Sequence, residues 1–125
     1  GSGSINAMVY ARGQKRDFDD WESVAGSDFG WSSVEKTYDY IEGIGNAEHS
    51  ERLSVTDVSD QHEGITSNFF KSGEDLGFQR VKNLNSNVVG GIGSYPITTK
   101  RGMRWTASDA FLKPRIDQKN VKILK

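Results

Sequence analysis

The order of helical and extended patterns along the chain restricts it to the α+β class. Apolar residues recur at helical spacing within residues 17–25, 32–43 and 62–77, whereas shorter stretches alternate apolar and polar residues. Because strand and helix patterns do not alternate regularly, a doubly wound parallel sheet is not expected. A length of 125 residues is enough for one domain with its own core. The sequence therefore predicts an α+β fold.

Local signals define the ends of the predicted helices. In the second helix, Ser32 and Glu35 have the spacing of a capping box, and Gly43 follows the last apolar residue. The third helix is closed by Gly77 and is weakened slightly by Gly73, since glycine costs about 1 kcal/mol inside a helix.

Shorter elements complete the prediction. Residues 5–11 are interpreted as a buried connection, a short strand or a helix start. After them, in chain order, come a strand at 52–58, a hairpin of 91–99 and 103–107 turning at Gly102, a helix at 108–114 ended by Pro114, and a strand at 120–124. The last strand needs a neighbour for its backbone groups, so we expect the chain to be a segment of a longer protein.

Composition excludes several classes of function. The chain has 16 basic and 17 acidic residues, so its net charge of −1 gives no basis for binding nucleic acid or an anionic membrane. The absence of cysteine excludes zinc–thiolate sites, iron–sulfur clusters and a thiol nucleophile. No apolar run is long enough to cross a membrane, and no signal peptide is visible. We expect a soluble protein, with the cytoplasm as the default location.

The ionisable residues offer no catalytic pair. His49 and His62 are interpreted as surface or capping histidines, because neither has a partner at the spacing of a helical metal pair. Four acids near the start of the first helix could form a metal cluster, but acids are common where the helix dipole favours them. These acids are Asp17, Asp19, Asp20 and Glu22. No metal site is predicted.

Glycine, tryptophan and basic residues also have simple structural interpretations. Gly90, Gly91 and Gly93 match neither dinucleotide nor phosphate-loop patterns and indicate a turn or bulge before a strand. Trp21, Trp31 and Trp105 are predicted to lie in the core rather than to stack on bases. Lys100, Arg101 and Arg104 are interpreted as ordinary charges near a hairpin tip.

The first residues of the chain carry a more specific pattern. Small residues are followed by an aliphatic residue and an asparagine, and then by aromatic, small and polar residues at fixed distances. The positions are Gly1, Ser2, Gly3, Ser4, Ile5, Asn6, Tyr10, Gly13 and Asp19. This pattern resembles the first signature of the glucose-methanol-choline (GMC) oxidoreductases, which are flavoenzymes. The resemblance continues through DFDDWESVAGSDFGWSSVEKTYDYIE and GIGSYPITTKRGMRWTASDAFLKP, and it is greatest to the bacterial choline-dehydrogenase-like group.

The resemblance implies that FAD lies against the small-residue loop. Backbone N–H groups of small residues can approach a cofactor without obstruction by side chains. The implied cofactor-binding residues are Gly1, Ser2, Asn6, Ala7, Met8 and Val9. Some relatives attach FAD covalently through a histidine where this chain has Ile5, so the resemblance implies non-covalent FAD here.

The resemblance also implies a division of the chain. Residues 1–30 would form the flavin-contacting loop and the helix after it. Residues 31–115 would form part of the substrate-binding domain, with its helices and antiparallel strands. Residues 116–125 would return as a strand to the FAD-binding domain.

By resemblance, the chain is a segment of an FAD-dependent alcohol or choline-type dehydrogenase that transfers hydride to the flavin. The family's dinucleotide fingerprint and catalytic histidine are not in this sequence, so the segment alone is expected to be inactive. Its partners would be the alcohol substrate and the rest of the parent chain, and its exposed faces could cause self-association. Two alternatives stay open: an independent small interaction module, and a relative of the hydroxynitrile lyases in the same family.

Overall fold

The computed structural model describes residues 2–43, 52–86 and 90–124. Its helices are α1 (Lys15–Ala25), α2 (Trp31–Glu42) and α3 (Ile65–Asp75). Its strands are β1 (Gln79–Asn83), β2 (Gly91–Ser94), β3 (Thr99–Lys100) and β4 (Met103–Arg104). Single helical turns lie at Ser2–Ser4, Ser27–Phe29, Ser108–Leu112 and Lys113–Arg115. Helices and short strands in this order confirm the predicted α+β class.

Aromatic rings pack between α1 and α2. The ring of Phe18 lies 5.5 Å from Trp21, 5.8 Å from Trp31 and 6.3 Å from Tyr38, measured between centroids. Trp31 is buried, as predicted, and Trp105 is half-buried, with its indole N–H donating to the Arg52 carbonyl. Trp21 is 58% exposed, so its prediction as a core residue is wrong. Among the described aromatic residues, its ring packs only against Phe18, in a T-shaped arrangement.

The ends of α1 and α2 are set by different residues from those predicted. The capping box at Ser32 and Glu35 is wrong, because α2 begins at Trp31 and its N-cap is Gly30. A capping arrangement lies instead at α1, where the Gln14 N–H donates to the Asp17 carboxylate at 3.0 Å. The predicted end of α2 is confirmed: Gly43 has φ +73°, a left-handed conformation that glycine adopts without strain.

Strand β1 was not predicted, and β2 does not belong to the predicted hairpin. The two strands pair in parallel, with Val81 opposite Gly93. A Cβ on Gly93 would lie 2.0 Å from the Val81 carbonyl oxygen, so only glycine allows this approach. On the other side, a Cβ on Gly73 of α3 would lie 2.2 Å from Cδ1 of Ile92. Gly73 therefore brings α3 close to β2, which explains a glycine inside a helix.

The hairpin itself is confirmed, but it is shorter than predicted. Strands β3 and β4 are joined by Arg101 and Gly102, which both have positive φ, as a tight two-residue turn requires. Just before β3, Ile97 exchanges two backbone hydrogen bonds with Thr56. The predicted strand at 52–58 is reduced to this single bridge, because the Thr99 N–H donates to Ile97 O within its own segment.

The last part of the chain departs from two predictions. Pro114 does not end a helix; it lies in the helical turn Lys113–Arg115, directly after the turn Ser108–Leu112. Proline is compatible with the start of such a turn because its missing N–H is not needed there. Residues 120–124 form no strand, since no strand of the described residues pairs with them.

Many apolar side chains of this chain face outward. The accessible surface is 9222 Å², whereas a folded monomer of 13.9 kDa exposes about 6,700 Å². Ile65 and Phe69 on α3 are 85% and 66% exposed, and Leu76, directly after the helix, is 79% exposed. For residues 5–11, a buried connection is wrong because Ile5 and Val9 are exposed, and no helix begins there. The alternative of a short strand is reduced to the single bridge between Val9 and Ile97. Within the described ranges, no helix is both long enough and apolar enough to span a bilayer.

Candidate functional site

The N-terminal loop, residues 2–9, is folded by its own backbone and by pairing with the segment before β3. The Ser2 carbonyl accepts hydrogen bonds from the N–H groups of Ile5 at 3.1 Å and Asn6 at 2.9 Å. Farther along, the Thr98 N–H donates to Met8 O at 2.8 Å. Both ends of the loop are thus fixed, although most of its side chains are exposed.

Arg104 of β4 holds the middle of the N-terminal loop. Its Nη1 donates to Asn6 Oδ1 at 2.7 Å and to Gly3 O at 3.2 Å, and its Nη2 donates to Asn6 O at 2.8 Å. Hydrogen bonds from a charged donor are stronger than neutral ones, and a guanidinium can engage two acceptors in a fixed geometry. One side chain therefore joins the hairpin to a loop about a hundred residues away in sequence.

Met8 has an unusual backbone conformation. Its φ is +63°, a region that residues with a side chain rarely adopt. Two neighbours maintain it: Asn6 Oδ1 accepts the Met8 N–H at 3.0 Å, and Thr98 donates to the Met8 carbonyl. Strained backbone of this kind is concentrated at functional sites, where surrounding contacts hold it in place.

The outer side of the loop presents hydrogen-bond donors. Val9 lies opposite Ile97 in an antiparallel bridge whose hydrogen bonds are made by the flanking residues, so the Val9 N–H points away from Ile97. Among the described residues, neither this N–H, nor that of Ala7, nor the side-chain amino group of Asn6 has a partner. Donors without acceptors on an exposed loop can bind a ligand rich in acceptor atoms.

The described part of the chain gives Gly3 no steric reason to be glycine. A Cβ placed there would reach only Thr106 Cβ, at an ordinary contact distance of 3.9 Å. Its small size is therefore available to something outside the described chain. Small residues, free donors and a nearby guanidinium together suit the ring and phosphate acceptors of a flavin nucleotide.

The structure describes five of the six residues that are predicted to bind FAD. Gly1 lies outside the described residues. Ser2 uses its carbonyl in the first turn, while Asn6 and Met8 are joined by a hydrogen bond. Ala7 and Val9 offer their N–H groups on the same loop. Thus five of the six predicted positions share one short loop, and their role toward FAD stays a prediction.

A separate polar cleft of about 510 Å³ lies near the end of α2. Arg12 pairs with Glu42 at 2.7 Å and with Asp39 at 3.2 Å, and the Tyr10 hydroxyl donates to Glu42 at 2.7 Å. Burial and the hydrogen bond to Glu42 raise the pKa of the Tyr10 hydroxyl above its usual range. Arg12 thus pairs with two carboxylates of α2, and this network joins the chain after the N-terminal loop to that helix.

The ionisable residues considered in the sequence take structural positions. His62 is half-buried: its Nε2 is hydrogen-bonded to the Ser94 hydroxyl and its ring meets Phe70 edge-on, so a surface position is wrong for it. His49 lies outside the described residues. Asp17 caps α1 and Asp19 pairs with Lys15. Within residues 2–43, 52–86 and 90–124, no group of three or more potential ligands could hold a metal ion.

Comparison with known proteins decides the family. A model of the GMC oxidoreductase family matches residues 1–125, which is the whole chain. The chain belongs to the GMC oxidoreductase family. The resemblance of its first residues to the family signature is thereby confirmed.

Named GMC-related proteins are similar over the whole chain. An oxygen-dependent choline dehydrogenase of Rhizobium johnstonii is 33% identical over 128 residues, and an alcohol dehydrogenase [acceptor] of Pseudomonas putida is 32% identical over 130. Each match covers 99% of this chain but 23% of the relative. The solved structure of pyridoxine 4-oxidase from Mesorbium loti is 29% identical with a TM-score of 0.84, over 99% of this chain and 26% of that one. The chain thus spans about a quarter of its relatives' length.

Arg104 is the residue at this candidate site that could not be identified from the sequence. Three basic residues near a hairpin tip look alike in sequence, and only the structure shows that Arg104 turns back onto Gly3 and Asn6. The sequence signal that could have identified Arg104 is the alternation of side chains along the predicted strand 103–107. Successive side chains of a strand point to opposite faces, so Arg104 lies on the opposite face from Met103 and Trp105.

Proposed function

We propose that this chain is part of a larger FAD-dependent GMC oxidoreductase that oxidises an alcohol of the choline type. The observation that carries the proposal is the N-terminal loop, with its strained Met8 and with donors at Asn6, Ala7 and Val9 that have no partner among the described residues. The names of the choline and alcohol dehydrogenases among the relatives support the substrate class.

In this proposal the loop binds the flavin through backbone and amide donors. The residues involved are Gly1, Ser2, Asn6, Ala7, Met8 and Val9. FAD, when bound, supplies the acceptor for a hydride from the alcohol carbon. The N–H groups of Ala7 and Val9 and the Asn6 amino group donate to acceptor atoms of the cofactor, and Ile5 has no atom that could form a covalent link to it.

We assign no catalytic residue to this chain. The base that takes the alcohol proton and the dinucleotide-binding fingerprint are proposed to lie in other parts of the enzyme. Within the chain, we propose that residues 1–30 contact the flavin, that 31–115 belong to the substrate-binding domain, and that 116–125 pair with the FAD-binding domain. A cytoplasmic location also stays a prediction.

The exposed apolar side chains favour a larger protein over an independent interaction module. Ile65 and Phe69 lie on α3 and Leu76 directly follows it, and all three bury little of their surface within the described chain. Burial of apolar area stabilises a fold by about 25 cal/mol per Å², so covering these side chains would be strongly favourable. The remaining three-quarters of a GMC enzyme would supply the cover.

The test is to express the complete reading frame that contains this chain. The purified protein is expected to carry non-covalent FAD, seen as flavin absorbance that is released by acid precipitation. It should reduce an artificial acceptor when choline or a simple alcohol is added. A folded protein that takes up no flavin after reconstitution would contradict the proposal. The 125-residue chain alone should bind flavin weakly at most and should show no turnover.

A further inference from the structure

The orientation of the Asn6 amide is determined by its neighbours. Two donors converge on its side-chain oxygen, the Met8 N–H at 3.0 Å and Arg104 Nη1 at 2.7 Å. A side-chain amino group could not accept either bond, so the oxygen must face inward. The Asn6 amino group therefore faces outward, where it has no partner among the described residues.

This orientation adds a hydrogen-bond donor to the outer face of the loop. The Asn6 amino group joins the N–H group of Val9, which points away from Ile97, and neither donor has a partner among the described residues. Preorganised donors in a protected site stabilise negative charge that develops on a bound group. Such a face favours the reduced, more electron-rich state of a flavin over the oxidised state.

We propose that Arg104 is the positioning residue of this site: by holding the Asn6 side-chain and backbone oxygens, it directs the Asn6 amino group outward as a donor that orients a bound flavin. The inference rests on the proposed function, since it takes the ligand to be FAD. Arg104 acts through Asn6 and Gly3 rather than through the cofactor, and its position on the hairpin couples the loop to the proposed substrate-binding domain.

The main test replaces Arg104 in the full-length protein. Arg104→Met should weaken FAD binding at least tenfold and shift the reduction potential of the bound flavin to more negative values. Arg104→Lys should give an intermediate result, because an ammonium cannot engage both Asn6 oxygens in the same fixed geometry. Arg101→Met is the matched control, since Arg101 is exposed at the tip of the same hairpin, and it should stay within twofold of wild type.

A second variant separates the donor face from the stability of the loop. Asn6→Asp keeps an acceptor for Arg104 but removes the outward amino group. The rate of hydrogen exchange at the backbone amides of the loop should stay close to that of wild type, while FAD binding should weaken at least fivefold. If Asn6→Asp binds FAD as tightly as wild type, the amino group is not a flavin donor and the proposal is wrong.

Hydrogen exchange of the apoprotein gives a readout that needs no flavin. Arg104→Met should speed exchange of the Met8 amide at least tenfold, because Asn6 Oδ1 loses the partner that holds it in place. Unchanged exchange would overturn the positioning role. Wild-type protein without flavin affinity would instead overturn the proposed function. Flavin-bound wild type with an unaffected Arg104→Met variant would overturn this inference alone.

Discussion

The N-terminal loop and the aromatic cluster between α1 and α2 are stabilised in opposite ways. The loop is exposed and is held by hydrogen bonds from Arg104 and Thr98, with one strained residue at Met8. The cluster is held by contacts between rings around Phe18, and its Trp31 is buried. The difference teaches that hydrogen bonds can fix a loop while N–H donors stay exposed at its surface, whereas the aromatic cluster is fixed by burying its rings.

The largest expected effect is in the packed region. Trp31→Ala removes a buried ring from the contact with Phe18 and should lower the free energy of unfolding by about 3–5 kcal/mol. Urea unfolding of the full-length protein measures it. The control is Trp21→Ala, which removes a ring that is 58% exposed and should have a much smaller effect. Equal losses for both variants would contradict the description of the cluster.

The next effect is at the junction of the two regions. Glu42→Gln removes the negative charge that pairs with Arg12 and that accepts a hydrogen bond from the Tyr10 hydroxyl. The side chains of this ion pair are only 11% and 13% exposed. Leaving Arg12 with a weaker set of partners should lower the free energy of unfolding by about 2 kcal/mol. Glu35→Gln, on the same helix but without an ion-pair partner among the described residues, is the control. A neutral result for Glu42→Gln would show that the network adds nothing to stability.

A smaller effect tests the strain in the loop. At φ +63° a β-branched side chain is disfavoured, so Met8→Val should destabilise the protein by about 1–2 kcal/mol. Met8→Gly should be close to neutral, since glycine adopts this conformation freely. Thermal unfolding of both variants in the full-length protein checks the pair. If Met8→Gly is the more destabilising of the two, the side chain matters more than the conformation.

The smallest effect depends on pH. The Lys113 ammonium, and then the Thr106 hydroxyl and N–H, hold the pKa of the Asp109 carboxyl well below its usual range. Because the folded pKa is lower than the unfolded one, this stabilisation is complete above the usual aspartate pKa and is lost as the pH falls through the folded value. Asp109→Asn should therefore lower the midpoint of urea unfolding at pH 7, and its difference from wild type should shrink toward pH 2.

The control for this titration is Asp117→Asn, an exposed acid without an ion-pair partner in the described part of the chain. Its midpoint should match wild type at every pH. A constant difference between Asp109→Asn and wild type across the whole pH range would mean that the Asp109 charge is not the cause.

Features with a local physical cause could be predicted from the sequence. Gly43 and Gly102 were placed correctly because left-handed turns select glycine whatever surrounds them. Helices α1, α2 and α3 were placed correctly from the spacing of their apolar residues. The predicted capping box at Ser32 was wrong because the N-cap of α2 is Gly30, which makes no side-chain capping hydrogen bond. A glycine N-cap leaves no side-chain pattern in the sequence.

Features that depend on distant contacts could not be predicted. Strand β1 has little alternation of its own and exists because Gly93 lets the two backbones approach. Arg104 differs from Arg101 only through the loop that it reaches. For the candidate site, the small residues were found through the family resemblance, whereas the residue that holds them was not.

The most direct test of the central claim is hydrogen exchange of the full-length protein with and without FAD. If residues 2–9 bind the flavin, the amides of Ala7 and Val9, which have no acceptor among the described residues, should exchange at least tenfold more slowly when FAD is bound. Stoichiometric FAD binding with unchanged exchange at both amides would contradict the claim.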